Sequence, residues 1–95
     1  MTLTLERDIE QKLCRKIKLH GGLCLKWVCP GWAGVPDRIV LLPGGRVCFV
    51  ETKRPVGGRL SALQKKWREK LTGKGFRVYV VRKLTDLQAF EAAEL

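Results

Sequence analysis

Two apolar runs joined by a short turn most restrict how this chain can fold. The runs are Arg38–Leu42 and Val47–Thr52, both rich in β-branched residues, and the turn between them contains Pro-Gly-Gly at 43–45. Proline presets the φ angle for the second position of a type I turn, and the final glycine accepts the positive φ of a bulge. The sequence therefore predicts an antiparallel hairpin with a three-residue loop, in which Leu42 faces Arg46.

The register of this hairpin decides which acidic residues lie together. A three-residue loop sets Asp37 opposite Glu51 on one face, with β-carbons roughly 5 Å apart, whereas a two-residue loop would put Asp37 on the other face. Facing carboxylates repel each other, so the pair needs a cation, and hard oxygen ligands suit Mg²⁺ or Mn²⁺. The alternative is that Asp37 merely starts a strand and Glu51 pairs with Lys53 or Arg38.

Charged residues at the end of the second run strengthen the case for a site. Residues two apart on a strand share a face, so Phe49, Glu51 and Lys53 line up. Phe49 belongs to the core, and charges that follow it on the same face are costly unless they meet a cleft, a partner or a metal. We therefore expect a cleft or a bound ion at this end of the strand.

The remaining patterns indicate one small α/β domain covering residues 1–95. Strands are predicted at Leu23–Val28 and Phe76–Val81, and helices at Thr4–Leu19, from Ser61 onward, and at Thr85–Glu94 with Thr85 and Gln88 as a capping box. The order is α-β-β-β-α-β-α, which predicts a mixed sheet flanked by helices. A chain of 95 residues is too short for a second self-sustaining core.

Charge points to a polyanionic partner. The chain has 19 Lys+Arg against 9 Asp+Glu, a net charge of +10. Residues 46–83 hold twelve of these cations and only two of the acids, so one part of the chain carries the whole excess. This distribution predicts a face that binds nucleic-acid phosphates, with a solvated lysine surface as the alternative. No apolar stretch could span a membrane and no secretion signal is visible, so we expect a cytoplasmic protein with no membrane partner.

The four cysteines do not indicate a metal site. Cys14, Cys24, Cys29 and Cys48 match no zinc-binding spacing, and without a secretion signal a disulfide framework is not expected. Cys14 and Cys48 lie in apolar runs and are predicted to be small buried hydrophobic residues.

Three motifs follow one another along the chain: GVPDR at Gly34–Arg38, FVETK at Phe49–Lys53 and GGRLSALQ at Gly57–Gln64. Together they resemble the virus-type replication-repair nuclease (VRR-Nuc) domain of the PD-(D/E)xK nuclease superfamily, and the similarity extends from the first helix to the last strand. The resemblance implies a restriction-endonuclease-like fold and a metal-dependent, structure-specific DNA endonuclease. Stand-alone bacterial and phage members act as homodimers on branched DNA, including Holliday junctions, which implies a role in DNA repair in a bacterium or a phage-infected cell.

The resemblance also implies roles for single residues. Asp37 and Glu51 would bind Mg²⁺ or Mn²⁺ together with the backbone carbonyl of Thr52. Lys53 would orient the attacking water or stabilise charge on the phosphate. No small-molecule cofactor is expected.

Two further site positions remain open between alternatives. The family pattern includes an acid on the first helix, and Glu6 and Glu10 share a helix face because they are four residues apart. We favour Glu10, which lies nearer the middle of the helix. Gln64 matches the family's glutamine, but with Ser61 it also fits a helix capping box, and both roles are compatible.

The basic stretch supplies candidates for binding the DNA backbone with little regard to sequence: Arg54, Arg59, Lys65, Lys66, Arg68 and Lys74. The alternative function is a non-catalytic, basic nucleic-acid-binding module, which would bind DNA without turnover.

Overall fold

The computed structural model describes residues 6–95, which form a four-stranded mixed sheet with helices on both faces. The helices are α1 (Glu6–Leu19), α2 (Ala62–Gly73) and α3 (Leu84–Glu94), and the strands are β1 (Leu23–Lys26), β2 (Arg38–Leu42), β3 (Arg46–Thr52) and β4 (Arg77–Val81). The strand order is β1-β2-β3-β4; the first three strands are antiparallel, and β4 runs parallel to β3. The predicted fold class and element order are confirmed. The predicted helix start at Thr4 lies outside the described residues.

The β2–β3 hairpin has the predicted register. Leu42 pairs with Arg46, as the three-residue loop requires. The predicted type I turn is wrong, because Gly44 has φ 82° and ψ 15°, the geometry of the third position of a type II turn. Gly45 also has a positive φ of 75°. Glycine tolerates both angles without steric cost, so the register survives the change of turn type.

Helices α1 and α3 cover one face of the sheet and form the main core with it. Apolar residues recur every four positions along α1, and Ile9, Leu13 and Ile17 are fully buried as a result. The strands contribute alternate residues, and α3 contributes its apolar side. The other buried members of this core are Val40, Leu42, Cys48, Val50, Val81, Leu87 and Phe90.

The opposite face is covered by α2 and by the loop between β1 and β2. Trp27 from this loop lies 5.1 Å from the ring of Phe49 on β3, and Trp67 of α2 meets Trp27 edge-on at 6.3 Å. The part of this face on β1 and β2 remains open, because Leu23 is 57% exposed and Leu25 is 44% exposed.

Several element ends differ from the sequence prediction. β3 begins at Arg46 rather than Val47, and β4 begins at Arg77 rather than Phe76. Strand β1 ends at Lys26 rather than Val28. The predicted capping box of Thr85 and Gln88 is wrong, because α3 begins at Leu84 and Asp86 caps it. The Asp86 carboxylate accepts hydrogen bonds from the backbone N–H groups of Arg82 (3.0 Å) and Lys83 (3.3 Å). Across residues 6–95, no helix combines the length and the apolar character needed to cross a membrane.

Candidate active site

The predicted site residues converge at one edge of the sheet. The start of β2, the end of β3, the first turns of α1 and the beginning of α2 meet there. Extending the β2–β3 register one step beyond the pair Arg38–Val50 sets Asp37 opposite Glu51. The turn at the far end of the hairpin therefore aligns these two acids.

Asp37 is held in place by Thr52. The backbone N–H of Thr52 donates a 2.9 Å hydrogen bond to Asp37 Oδ1, and the Thr52 hydroxyl donates a short one to Oδ2. Thr52 is fully buried, so its side chain has little freedom to turn away. Both carboxylate oxygens of Asp37 are thus positioned by one residue on the neighbouring strand. The sequence analysis assigns a role only to the backbone carbonyl of Thr52 and none to its hydroxyl.

Glu6 and Glu10, the two candidate acids of α1, both reach Asp37. Oxygen atoms of Glu6, Glu10 and Asp37 lie within 4.8 Å of one another. Glu10 is also anchored, since the guanidinium of Arg38 pairs with its Oε1 and the Thr52 hydroxyl lies 3.5 Å from its Oε2. The helix therefore brings Glu6 and Glu10 to the same cluster, and Arg38 compensates part of the negative charge.

Glu51 lies beside this cluster in a less polar setting. It is 7% exposed, and its pKa is raised from 4.5 to about 7, first by burial and then by the charge of Asp37. Lys53 and the backbone of Asp37 act in the opposite direction, while Glu6 adds to the rise. Lys53 Nζ is 4.0 Å from Glu51 Oε1. The charged form of Glu51 is therefore unfavourable unless a positive charge lies close to it.

Gln64 joins the site to the start of α2. Its Nε2 donates a 3.0 Å hydrogen bond to Glu51 Oε1, while its Oε1 accepts one of 2.8 Å from the backbone N–H of Ser61. The Ser61 hydroxyl accepts a hydrogen bond from the Gln64 N–H, which completes the predicted capping box. The cap fixes the orientation of the amide, so its NH₂ group faces Glu51. Gln64 thus makes a contact for each of its two suggested roles, one in the cap of α2 and one with the site residue Glu51.

The donor set fits a hard divalent cation. Carboxylate oxygens are the ligands that Mg²⁺ and Mn²⁺ prefer, and each acid of the cluster offers at least one. Oxygen ligands of Mg²⁺ lie about 2.1 Å from the ion, so two of them are at most about 4.2 Å apart. The cluster of Glu6, Glu10 and Asp37 spans 4.8 Å and needs to contract only slightly. Glu51 is close enough to raise the negative potential there.

A cleft beside the acids is lined by Glu6, Lys53 and Arg54 and by the loop that carries Gly57, Gly58 and Arg59, and its volume is about 330 Å³. Gly58 packs directly against Lys53 and the backbone of Arg54, which line this cleft. A β-carbon there would be 2.4 Å from the carbonyl oxygen of Arg54 and 2.9 Å from Cβ of Lys53. Only glycine permits this approach, which holds the base of the Lys53 side chain at the cleft.

Basic side chains continue from this cleft along α2. A neighbouring groove of about 360 Å³ is lined by Arg59, Lys65, Arg68 and Arg82, together with Leu60 and Val80. Arg59 borders both cavities, so they form one positively charged path leading away from the acids. Lys66 and Lys74 are exposed but line neither of these two cavities.

Sequence reasoning missed three parts of the site. Arg82 follows β4 and reaches the basic groove only through the parallel pairing of β3 with β4. Arg38 pairs with Glu10 and not with Glu51, the partner that the sequence suggests as an alternative. The hydroxyl of Thr52 contacts Asp37, which precedes β2, and Glu10 of α1. No short-range signal in the chain marks these contacts.

Known proteins resemble this chain over most of its length. The family model of the VRR-NUC domain matches residues 28–83. A protein named "Putative nuclease p44", from Acyrthosiphon pisum secondary endosymbiont phage 1, is 40% identical over 81 residues, which cover 85% of this chain and 86% of that protein. A solved structure described as a VRR_NUC domain superposes with a TM-score of 0.86 at 28% identity, covering 92% of this chain and 94% of the other.

Proposed function

Because the chain belongs to the VRR-NUC domain family and is a nuclease, we propose that it cuts branched DNA at the acidic cluster with the help of a divalent metal ion. The observation that carries this proposal is the meeting of Glu6, Glu10 and Asp37 within 4.8 Å, beside Glu51 and Lys53. Acids that meet from three elements repel one another, and a bound cation would remove this repulsion.

Each group at the cluster has a distinct task in phosphodiester hydrolysis. Asp37, Glu51 and a helix acid would hold the ion, with the carbonyl of Thr52 as a further ligand, and the Thr52 hydroxyl keeps Asp37 in its orientation. Bound Mg²⁺ or Mn²⁺ supplies Lewis acidity and lowers the pKa of a coordinated water. Lys53 directs an ammonium group into the cleft, where it stabilises negative charge that develops on the phosphate. Gln64 restrains the Glu51 carboxylate.

The basic path accounts for DNA binding. Arg54 and Arg59 flank the cleft, and Lys65, Arg68 and Arg82 extend the positive surface along the groove beside α2. Such contacts fix the phosphate backbone with little sequence preference and weaken steeply with salt. Lys66 and Lys74 would add to the field around the DNA, because both are exposed on the same stretch.

We propose further that two copies act together. One chain contains one acidic cluster among its described residues, yet symmetric resolution of a four-way junction needs two cuts. Leu23, Leu25 and Leu41 share one face of β1 and β2 and are exposed, which supports a two-fold interface there. The expected place of action is the cytoplasm of a bacterial or phage-infected cell.

The test is to incubate the purified protein with end-labelled duplex, flap, fork and four-way junction DNA. Each substrate is offered with Mg²⁺, with Mn²⁺ and with a chelator. We expect cleavage of branched substrates only when a divalent ion is present. Binding without cleavage under both metals would favour the non-catalytic binding module, and equal cleavage of linear duplex would contradict structure specificity.

A further inference from the structure

A pair of cysteines lies behind the acidic cluster, where α1 packs on β1. The Sγ atoms of Cys14 and Cys24 are 2.8 Å apart, although the residues are ten positions apart in sequence. Both residues are half-buried. The chain offers no spacing motif for this pair, which arises only from the packing of the first helix against the first strand.

We propose that Cys14 and Cys24 form a reversible disulfide that cross-links α1 to β1 of the sheet. A disulfide needs a sulfur–sulfur distance of about 2.05 Å, so the two atoms have to approach each other by less than about 1 Å. Helix α1 carries Glu6 and Glu10, and the disulfide would join this helix to β1 one turn beyond Glu10. The inference concerns a modification site and does not depend on the proposed nuclease mechanism.

The surroundings of the pair favour reaction at Cys14. The pKa of Cys14 is lowered from 9.0 to about 7, because its sulfur shares a hydrogen bond with Cys24 and because the positive charge of Arg38 lies nearby. The pKa of Cys24 is raised by the same hydrogen bond and by burial, so Cys14 loses its proton before Cys24 does. The thiolate is the reactive form of cysteine, which makes Cys14 the first nucleophile.

A small reagent can reach the pair from solvent. A cavity of about 430 Å³ is lined by Arg7, Glu10, Gln11 and Arg38 and by both cysteines. Arg38 is paired with Glu10, so Arg7 leaves the lining with a net positive charge that favours an anionic reagent. Cys48 lies inside the main core, where burial raises the pKa of its thiol to about 12, so it does not compete.

The oxidant we assign is a low-molecular-weight, anionic disulfide of the glutathione class. The Cys14 thiolate attacks one sulfur of the reagent, whose S–S bond breaks and releases one thiolate. Cys24 then gives up its proton and attacks the Cys14 sulfur, which displaces the second reagent thiolate. The protein loses two thiol hydrogens and two electrons, and the reagent is reduced to two thiols. Excess reduced thiol reverses both steps.

The first test maps the bond. The purified full-length protein is equilibrated in buffers of reduced and oxidised glutathione, its remaining thiols are blocked, and it is digested with trypsin without reduction. The four cysteines fall in separate tryptic peptides, because Lys or Arg separates each from the next. We expect a linked product of the peptides 13–15 and 19–26 that disappears after reduction. Links that involve Cys29 to the same extent, or a mixed disulfide that persists at Cys14, would overturn the proposal.

The second test measures what the bond does. A disulfide restricts the unfolded chain, so the oxidised protein should unfold at a temperature several degrees higher than the reduced protein. The variants Cys14→Ser and Cys24→Ser should each lose this difference, whereas Cys29→Ser, a half-buried cysteine outside the pair, should keep it. An unchanged unfolding temperature on oxidation of the wild type would contradict the proposed cross-link between α1 and β1.

Discussion

Both carboxylate oxygens of Asp37 accept hydrogen bonds from Thr52, one from its backbone N–H and one from its hydroxyl. Asp37 precedes β2 and Thr52 ends β3, so the contact ties the two strands together at the acidic cluster. Metal-binding carboxylates gain their orientation from such outer contacts. Thr52 is therefore the residue that positions Asp37.

Thr52→Val should weaken cleavage while preserving the fold. Valine has the shape of threonine, so the buried space stays filled, but Asp37 Oδ2 loses its donor. We expect a loss of about 10–100-fold in cleavage at limiting Mg²⁺, the range typical of outer contacts to metal ligands. The control is Thr72→Val, since the hydroxyl of Thr72 bonds only carbonyls of its own helix in the described contacts. Equal activity of the two variants would show that the hydroxyl is dispensable.

The stability of the metal-free protein should depend on the charge of Glu51. Its pKa is about 7 in the folded chain against an ordinary 4.5, so the folded state binds a proton more tightly than the unfolded state does. The resulting stability is complete below pH 4.5 and is lost as pH rises through 7. We expect the free energy of unfolding in chelator to fall by on the order of 2–3 kcal/mol because of this group.

Glu51→Gln should remove most of that decline, because the amide carries no charge at any of these pH values. The measurement is urea unfolding from pH 5 to pH 8 in chelator, for the wild type and the variant side by side. Parallel pH profiles would mean that Glu51 does not have the raised pKa.

Gln64→Glu should separate the two contacts of Gln64. A glutamate at this position still accepts the Ser61 N–H, so the capping box remains. It no longer donates to Glu51 and places a second negative charge beside it. We expect cleavage to fall by at least about tenfold with little change in unfolding temperature.

Ser61→Ala is the matched control for this substitution. It removes the side-chain cap of α2 and should cost about 1 kcal/mol of stability, while the amide of Gln64 keeps its contact with Glu51. Cleavage well below the unfolding temperature should stay near the wild-type rate. If Ser61→Ala lost as much cleavage as Gln64→Glu, helix capping rather than the contact with Glu51 would explain the effect.

Gly58→Ala should displace Lys53. The added methyl group would lie 2.4 Å from the Arg54 carbonyl oxygen and 2.9 Å from Lys53 Cβ, so the wall of the cleft has to move. We expect strongly reduced cleavage, whereas most of the affinity for branched DNA in chelator remains, because Lys65, Arg68 and Arg82 line the groove beside α2 and do not contact Gly58. Gly73→Ala has open space around its β-carbon and serves as the control. Wild-type cleavage by Gly58→Ala would show that the position of Lys53 is not critical.

The hairpin could be predicted from sequence because its determinants are local. Two β-branched runs and a Pro-Gly-Gly turn define the register, and the register aligns Asp37 with Glu51. The turn type could not be derived, since both glycines tolerate positive φ. Contacts such as Arg38 with Glu10 and Cys14 with Cys24 depend on how α1 packs on the sheet, and no local pattern encodes that packing.

The central claim is that Asp37 belongs to a metal-dependent nuclease site, and Asp37→Asn tests it most directly. Asparagine keeps the shape of the side chain and can still accept from Thr52, but the cluster loses one negative charge. We measure cleavage of a four-way junction across a Mg²⁺ titration, together with binding of the same junction in chelator. The account predicts that cleavage falls by several orders of magnitude while binding stays within a few-fold of wild type. Cleavage by Asp37→Asn at the wild-type rate would contradict the assignment of this site.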